Sequence, residues 1–227
     1  MLEALEATPS VTIPLPSVRL AATLDRPPSP RGSVIFAHGS GSSRFSPRNR
    51  FVAAVLHEAG FATLLADLLT PREEALDVRT GQFRFDIALL GQRVAELVDW
   101  VATQPGLADL PIGLFGASTG AAAALRAAAE RPPVRAVVSR GGRPDLAAEV
   151  LPRVRVPVLL IVGGSDLPVL TLHQQVLHRF GGPHQLVVIP GASHLFEEPG
   201  ALEQVATLAR DWFLRYLTAP AGGQPPA

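Results

Sequence analysis

The sequence of 227 residues contains no cysteine and no lysine, and each absence removes a class of function. Without cysteine the chain can form no disulfide, no cysteine nucleophile and no thiolate metal site. Without lysine, all 20 basic residues are arginines, and they balance 20 acidic residues to a net charge of zero. Because no basic segment stands out, the sequence predicts no nucleic-acid partner.

Long apolar segments are also missing, because proline, glycine, arginine or aspartate interrupts each one before it reaches the length of a membrane span. We therefore expect no membrane association. The N-terminus carries Glu3 and Glu6 in place of the basic start of a secretory signal. With the missing cysteine, this predicts a cytoplasmic protein. The composition, 47% hydrophobic and 18% charged, predicts one domain over residues 1–217, followed by a disordered tail at 218–227.

Short apolar segments alternate with helical patterns along the chain. Segments 11–13 and 17–24 predict an N-terminal hairpin, and a polar loop at about 68–85 is the longest candidate cover for a site. Buried strands are predicted at 33–37, 61–66, 111–115, 134–139, 158–162 and 185–189, and helices at 47–59, 86–103, 121–129, 168–179 and 198–217. This alternation predicts an α/β fold with a mostly parallel twisted sheet and helices on both faces, in which ligands bind beyond the carboxyl ends of the strands.

The pentapeptide Gly116-Ala117-Ser118-Thr119-Gly120 joins one of these strands to a run of alanines. Ser118 therefore occupies a sharp strand-to-helix turn with a glycine two residues away on either side, which lets strand and helix approach closely. Such a turn holds a serine hydroxyl at the carboxyl end of the sheet, beside a helix N-terminus. The alternative is a glycine-rich turn that serves tight packing alone.

A serine nucleophile needs a base and an acid to orient that base. His194 follows the last predicted strand and Asp166 follows the strand before it, so the chain order is Ser118, Asp166, His194. This order is typical of a nucleophile elbow. Asp166 could instead cap the helix that follows it, and Asp145 and Asp67, also near strand ends, compete for the orienting role.

An acyl-transfer site also needs two donors for the oxyanion. The N–H of Thr119 is one candidate, and the N–H of Ser40, with Gly41 next, is the other. Segment 38–44 could alternatively form a phosphate cradle, because a strand, a glycine-rich turn and a helix also describe such sites. The segment lacks the lysine of a P-loop and the third glycine of a dinucleotide fingerprint.

Together these residues resemble the α/β-hydrolase superfamily, and within it the dienelactone hydrolase-like proteins, over residues 11–217. The resemblance implies a three-layer αβα fold without a cap domain. It also implies hydrolysis of an ester, lactone or thioester through an acyl-serine, with no cofactor or metal. Dienelactone hydrolases proper use a cysteine nucleophile, whereas this sequence has Ser118. The matching motifs are His38-Gly39-Ser40-Gly41, Gly116 to Gly120, Gly164-Ser165-Asp166 and Gly191-Ala192-Ser193-His194.

The predicted partner is a small-molecule ester or lactone. Gly41 lies where it could contact that substrate, and Arg44, Arg140 and Arg143 follow strand ends and could bind a substrate carboxylate. The alternative is that these arginines are solvated surface residues. A catalytically inactive hydrolase-fold domain that binds a ligand or a partner protein is the second hypothesis for the function. The sequence leaves the oligomeric state open.

Overall fold

The computed structural model describes residues 10–217, and a sheet of eight strands runs through them. The strands are β1 (Ser10–Pro14), β2 (Arg19–Asp25), β3 (Ser33–Ala37), β4 (Ala62–Ala66), β5 (Ile112–Ala117), β6 (Val134–Arg140), β7 (Val158–Gly163) and β8 (His184–Ile189). Their spatial order is β1-β2-β4-β3-β5-β6-β7-β8. Strands β3 to β8 are parallel, and β1 and β2 form the predicted N-terminal hairpin. The tail predicted at 218–227 lies outside the described residues, and a single domain over 1–217 stays a prediction.

Helices cover both faces of the sheet, as predicted, and make a three-layer αβα fold. They are α1 (Pro47–Glu58), α2 (Pro71–Thr80), α3 (Ile87–Val101), α4 (Thr119–Glu130), α5 (Leu167–Val176) and α6 (Ala201–Leu217). One apolar core lies between the sheet and α3 and α4, and a second lies between the sheet and α1 and α6. Within residues 10–217, no helix combines the length and the apolar character that a membrane crossing requires.

Helix α3 shows how the apolar pattern determines the packing. The Asp86 side chain accepts a hydrogen bond of 2.9 Å from the Leu89 N–H and so caps the first turn. The predicted apolar stripe recurs every three or four residues, and all its members are buried against the sheet. These members are Ile87, Leu90, Val94, Leu97 and Val101.

The prediction of a polar loop at about 68–85 is wrong for the centre of that segment, because residues 71–80 form α2. Thr70 and Glu73 make a capping box in which each side chain binds the backbone N–H of the other. Pro71 occupies the first turn, and Gly81 ends the helix in the left-handed conformation. No apolar residue of α2 is buried, so the helix lacks the apolar periodicity on which the sequence prediction relied.

The connection between β6 and β7 contains two 3₁₀ turns, Pro144–Ala147 and Leu151–Arg153, and no further domain. No inserted cap therefore covers the carboxyl edge of the sheet at this point. Helix α6 ends at the opposite edge. A Cβ built on Gly113, the second residue of β5, would lie 2.9 Å from the Leu217 Cδ1 atom.

Candidate active site

Ser118 lies at the turn between β5 and α4 in a strained conformation. Its φ of 51° and ψ of −124° fall in a region that residues with side chains rarely adopt. The flanking glycines make the turn possible. A Cβ on Gly116 would lie 2.3 Å from the Ala121 Cα, and a Cβ on Gly120 would lie 2.2 Å from the Ala37 carbonyl oxygen. The turn therefore has the geometry of a nucleophile elbow.

Asp166 and His194 are hydrogen-bonded to each other at the same edge of the sheet. The His194 Nδ1 atom lies 2.6 Å from the Asp166 Oδ2 atom. Asp166 occupies the N-cap position of α5, but its side chain makes no capping hydrogen bond. The Asp166 side chain is 10% exposed and that of His194 is 38% exposed. The carboxylate is therefore behind the ring, and the imidazole remains accessible to a substrate.

The end of β6 lies next to both the Ser118 backbone and the His194 ring. The Ser118 N–H donates a hydrogen bond of 3.2 Å to the Arg140 carbonyl. The next residue, Gly141, lies under the imidazole, because a Cβ built on it would be 3.5 Å from the His194 Cε1 atom. No hydrogen bond joins the Ser118 hydroxyl to His194 within residues 10–217. Catalytic hydrogen bonds are often long without substrate and shorten when it binds.

The two competing acids are bound elsewhere. Asp145 accepts two hydrogen bonds from Arg143, at 2.8 Å and 2.7 Å. Asp67 accepts a hydrogen bond of 2.7 Å from the Arg44 N–H and also pairs with the guanidinium of Arg44. Asp166 is therefore the acid that this arrangement offers to His194, and two of the three arginines predicted to bind a substrate carboxylate already have a carboxylate partner.

Arg140, the third of these arginines, is buried and not a solvated surface residue. Its Nη2 group donates a hydrogen bond of 3.3 Å to the Asn49 side chain. Its Nε and Nη1 groups have no hydrogen-bond partner within the described part of the chain. Burial, with the neighbouring charge of Arg48, lowers the pKa of Arg140 to about 10. The guanidinium is thus charged at neutral pH and has no carboxylate bound to it.

Segment 38–41, which follows β3, lies against the nucleophile. A Cβ on Gly39 would be 2.9 Å from the Ser118 Cβ atom, so only glycine permits this approach. The Ser40 N–H lies next to the first turn of α4 and donates a hydrogen bond of 3.0 Å to the Thr119 Oγ1 atom. Thr119 is the first residue of α4, where backbone N–H groups have no partner within the helix.

His38 fixes this segment from behind. The His38 Nε2 atom accepts a hydrogen bond of 3.0 Å from the Leu68 N–H, so the ring proton lies on Nδ1 and points to the Gly39 carbonyl at 2.9 Å. Burial lowers the pKa of the His38 imidazole, which keeps it neutral. His38 is therefore a structural residue that ties the segment to the chain ahead of α2.

Two residues near the site were missed by the sequence analysis. The Asp77 carboxylate, 1% exposed, accepts hydrogen bonds from the N–H groups of Phe83 and Arg84, at 2.7 Å and 2.9 Å. The Arg84 carbonyl in turn accepts a hydrogen bond of 3.1 Å from the Ser40 hydroxyl. The capping box before α2 was the signal that could have revealed this helix and therefore Asp77.

A cleft of about 480 Å³ lies between segment 41–47 and the start of α2. Its walls include Gly41, Phe45, Leu69 and Glu74. Ser118 and His194 do not line the cleft, which reaches the predicted oxyanion site through Gly41. Over residues 10–217, no group of three or more metal-ligating side chains is close enough to hold an ion.

Known proteins with a similar sequence or structure place these features in context. The sequence model of the dienelactone hydrolase family matches residues 20–218. The crystal structure of a dienelactone hydrolase from Anabaena variabilis ATCC 29413 is 56% identical, with a TM-score of 0.89 over 92% of this chain and 97% of that one. Est1E from Butyrivibrio proteoclasticus, at 19% identity and a TM-score of 0.75 over 90% of this chain and 97% of its own, shows the fold alone.

A curated protein of Mycobacterium tuberculosis (strain ATCC 25618 / H37Rv), named "Putative phosphoribosyl transferase Rv0571c", is 60% identical over 204 residues. The alignment covers 89% of this chain and 45% of that protein. The chain thus spans about half the length of this curated relative.

Proposed function

Because the chain belongs to the dienelactone hydrolase family, we propose that it is a serine hydrolase that cleaves a carboxylic ester, lactone or thioester through an acyl-serine. Membership of this family supports a hydrolase of the ester or lactone type. The observation that carries the finer proposal is the 2.6 Å bond between Asp166 and His194 at the sheet edge where Ser118 occupies a strained turn. Serine replaces the cysteine nucleophile of dienelactone hydrolases proper, and the triad supplies the base that a hydroxyl requires.

In this mechanism, the Asp166 carboxylate accepts a hydrogen bond from the Nδ1–H group of His194, which leaves Nε2 free to act as the base. His194 removes the hydroxyl proton of Ser118 as its Oγ atom bonds to the substrate carbonyl carbon. The carbonyl oxygen becomes an oxyanion, and the N–H groups of Ser40 and Thr119 stabilise it. Collapse breaks the bond to the leaving group, which takes the proton from His194. A water molecule, deprotonated by His194, then releases the acid and restores Ser118.

The cleft beside segment 41–47 supports a site for one half of the substrate. Its wall residue Gly41 directly follows the proposed oxyanion donor Ser40, so a group bound there adjoins the reacting carbonyl. Phe45, which is 57% exposed, and Leu69 offer apolar contact to that group. We propose that Gly41 contacts the substrate and that α2, with Glu74, forms the outer wall.

We also propose that the substrate carries a carboxylate and that Arg140 binds it. Arg44 and Arg143 are less suited to this role, because each already forms an ion pair with an aspartate of the chain. The test compares kcat/KM for two matched esters, one with a carboxylate and one neutral, in the wild type and in Arg140→Gln. A preference for the anionic ester that disappears in the variant supports the role of Arg140. An unchanged ratio of the two values rejects it.

A cytoplasmic location stays a prediction from the composition.

Labelling with a fluorophosphonate tests the whole proposal. This reagent forms a stable bond to a serine that a neighbouring base has activated, and the expected result is stoichiometric labelling that Ser118→Ala abolishes. The rival hypothesis, a hydrolase-fold domain that binds a ligand or partner without catalysis, predicts no labelling under conditions in which a control serine hydrolase reacts. Asp166→Asn serves as a second variant, since it keeps the hydroxyl but disturbs the base.

A further inference from the structure

The side chains of Ser40 and Thr119 form a pair of hydrogen-bonded hydroxyls, here called the hydroxyl bridge, between the two proposed oxyanion donors. Their oxygen atoms are 3.0 Å apart, and the Ser40 N–H also donates to the Thr119 Oγ1 atom at 3.0 Å. The Ser40 hydroxyl gives its one proton to the Arg84 carbonyl at 3.1 Å. The Thr119 hydroxyl must therefore donate to Ser40, which fixes the direction of every proton in the bridge.

The far end of the bridge is anchored by a buried charge. Asp77 binds the N–H groups of Phe83 and Arg84, and its Oδ2 atom accepts a further hydrogen bond of 2.9 Å from the Arg84 Nε group. The Arg84 carbonyl is therefore held in place by α2. Ser40 has glycines on both sides, which give its backbone little rigidity of its own. The bridge to Thr119 and Arg84 supplies the rigidity that an oxyanion donor needs.

The bridge also gives the Ser40 N–H an acceptor before any substrate arrives. That acceptor, the Thr119 hydroxyl oxygen, is neutral. A substrate carbonyl oxygen is neutral as well and gains little by replacing it, whereas an oxyanion forms hydrogen bonds roughly twice as strong. The exchange of acceptors thus becomes favourable only as negative charge develops. Interactions that strengthen between the ground state and the transition state are the ones that raise the rate of the chemical step.

We propose that Thr119 is a positioning residue. Its hydroxyl oxygen accepts the hydrogen bond of the Ser40 N–H until the oxyanion forms, and so keeps this N–H from binding the ground-state carbonyl. The inference rests on the serine hydrolase mechanism proposed above and assigns a role to a side chain that this mechanism does not use. Thr119 thus acts twice, since its N–H binds the oxyanion and its Oγ1 atom controls the second donor.

The test is burst-phase kinetics of an activated ester with wild type, Thr119→Val and Thr119→Ser. Valine keeps the shape of threonine but removes the acceptor, and serine restores it. We expect the acylation rate constant of Thr119→Val to fall about tenfold, because the Ser40 backbone loses the contact that holds its N–H in position. This loss is smaller than the roughly 10²–10³ lost when an oxyanion donor is removed. The apparent substrate dissociation constant should stay equal or decrease, because the N–H is free to bind the ground-state carbonyl. Thr119→Ser should lie within about threefold of wild type.

Two results would overturn the proposal. An unchanged acylation rate constant in Thr119→Val would show that the hydroxyl has no role in the reaction. A slower acylation with weaker substrate binding would show a general loss of structure at the site. Thr103→Val is the control for the loss of a threonine hydroxyl, because the Thr103 hydroxyl donates a hydrogen bond of 2.7 Å to the Trp100 carbonyl just after α3 and lies outside the site. Fluorophosphonate labelling of Thr119→Val separates the two proposals. If the valine variant and the wild type both fail to label, the serine hydrolase itself is rejected.

Discussion

The backbone of Ser118, the proposed nucleophile, is strained. A residue with a side chain in this region costs on the order of 1–3 kcal/mol relative to a relaxed conformation, a cost that glycine avoids. We expect Ser118→Gly to be more stable than Ser118→Ala by about 1 kcal/mol, although both variants lack the nucleophile. Urea unfolding of the two variants measures this difference. Equal stability, or a more stable alanine variant, would mean that the turn stores no strain.

The choice of acid behind His194 is a second question at this scale. Asp166→Asn should lower kcat by roughly 10³–10⁴, because the neutral amide favours the wrong tautomer of His194 and does not stabilise the charged ring. Asp145→Asn is the matched control, since Asp145 binds Arg143 and should leave kcat within about twofold of wild type. Steady-state kinetics with one activated ester decides between them. A large loss in the Asp145 variant alone would reassign the triad.

The sequence places the three residues of the proposed triad, but not the side chains around them, for a physical reason. Ser118, Asp166 and His194 each follow a strand, and parallel strands deliver their ends to one edge of the sheet. The arginines could not be placed in this way. Arg44 and Arg143 are long side chains whose partners depend on tertiary packing, and both pair with acids that the sequence analysis treated as competitors for the triad.

At the scale of elements, α2 is attached to the core through a buried ion pair. Arg93 of α3, 2% exposed, binds Glu73 at 2.6 Å and 2.9 Å. Burial acts to raise the pKa of the Glu73 carboxyl, but hydrogen bonds from Arg93 and Thr70 outweigh it and lower the pKa from 4.5 to about 2. A lowered pKa in the folded state means that the pair stabilises the protein above pH 4.5.

We therefore expect the free energy of unfolding to fall as the pH drops from 4.5 towards 2, where Glu73 takes up a proton. Urea unfolding at a series of pH values measures this slope. In Glu73→Gln the slope over this interval should be shallower and the stability at neutral pH lower, since Arg93 keeps its burial and loses its charged partner. Parallel curves for the two proteins would show that the pair does not link stability to pH.

The strands and every helix except α2 could be predicted because their apolar periodicity reflects direct burial. Helix α2 has no apolar face and is stabilised instead by a capping box, an N-terminal proline and one ion pair with the core. A search for caps as well as for periodicity would have found its start at Thr70. Its role in holding Arg84, and through it Ser40, depends on contacts between distant parts of the chain and has no local signature.

For the molecule as a whole, large apolar side chains are exposed around the catalytic edge. Leu195 directly follows His194 and is 40% exposed, and Leu167 directly follows Asp166 and is 64% exposed. Such residues offer contact to an apolar part of the substrate. We expect Leu195→Ser to lower kcat/KM for an octanoyl ester about fivefold and to leave an acetyl ester unchanged, as for about 1 kcal/mol of lost apolar burial.

The control for this prediction is Val78→Ser. Val78 is 69% exposed on α2 and is not among the residues that line the cleft. The chain-length series of esters should therefore give the same profile for Val78→Ser as for the wild type. An equal loss for the acetyl and octanoyl esters in Leu195→Ser would point instead to a disturbed His194.

The last turn of α6 packs beside the first residues of β5, at the edge of the sheet opposite Ser118. Leu217, the last residue that the structure describes, thus lies at the end of the sheet away from Ser118. A reporter protein, or a solid support, joined directly after Leu217 would start from the end of the sheet opposite the proposed active site. We expect a fluorescent protein fused after Leu217 to keep kcat/KM for a small ester within about twofold of the untagged protein. The same protein inserted in the loop at 181–183 should lower kcat/KM, because Gly181 and Gly182 pack directly against the backbone of Pro152 and Arg155.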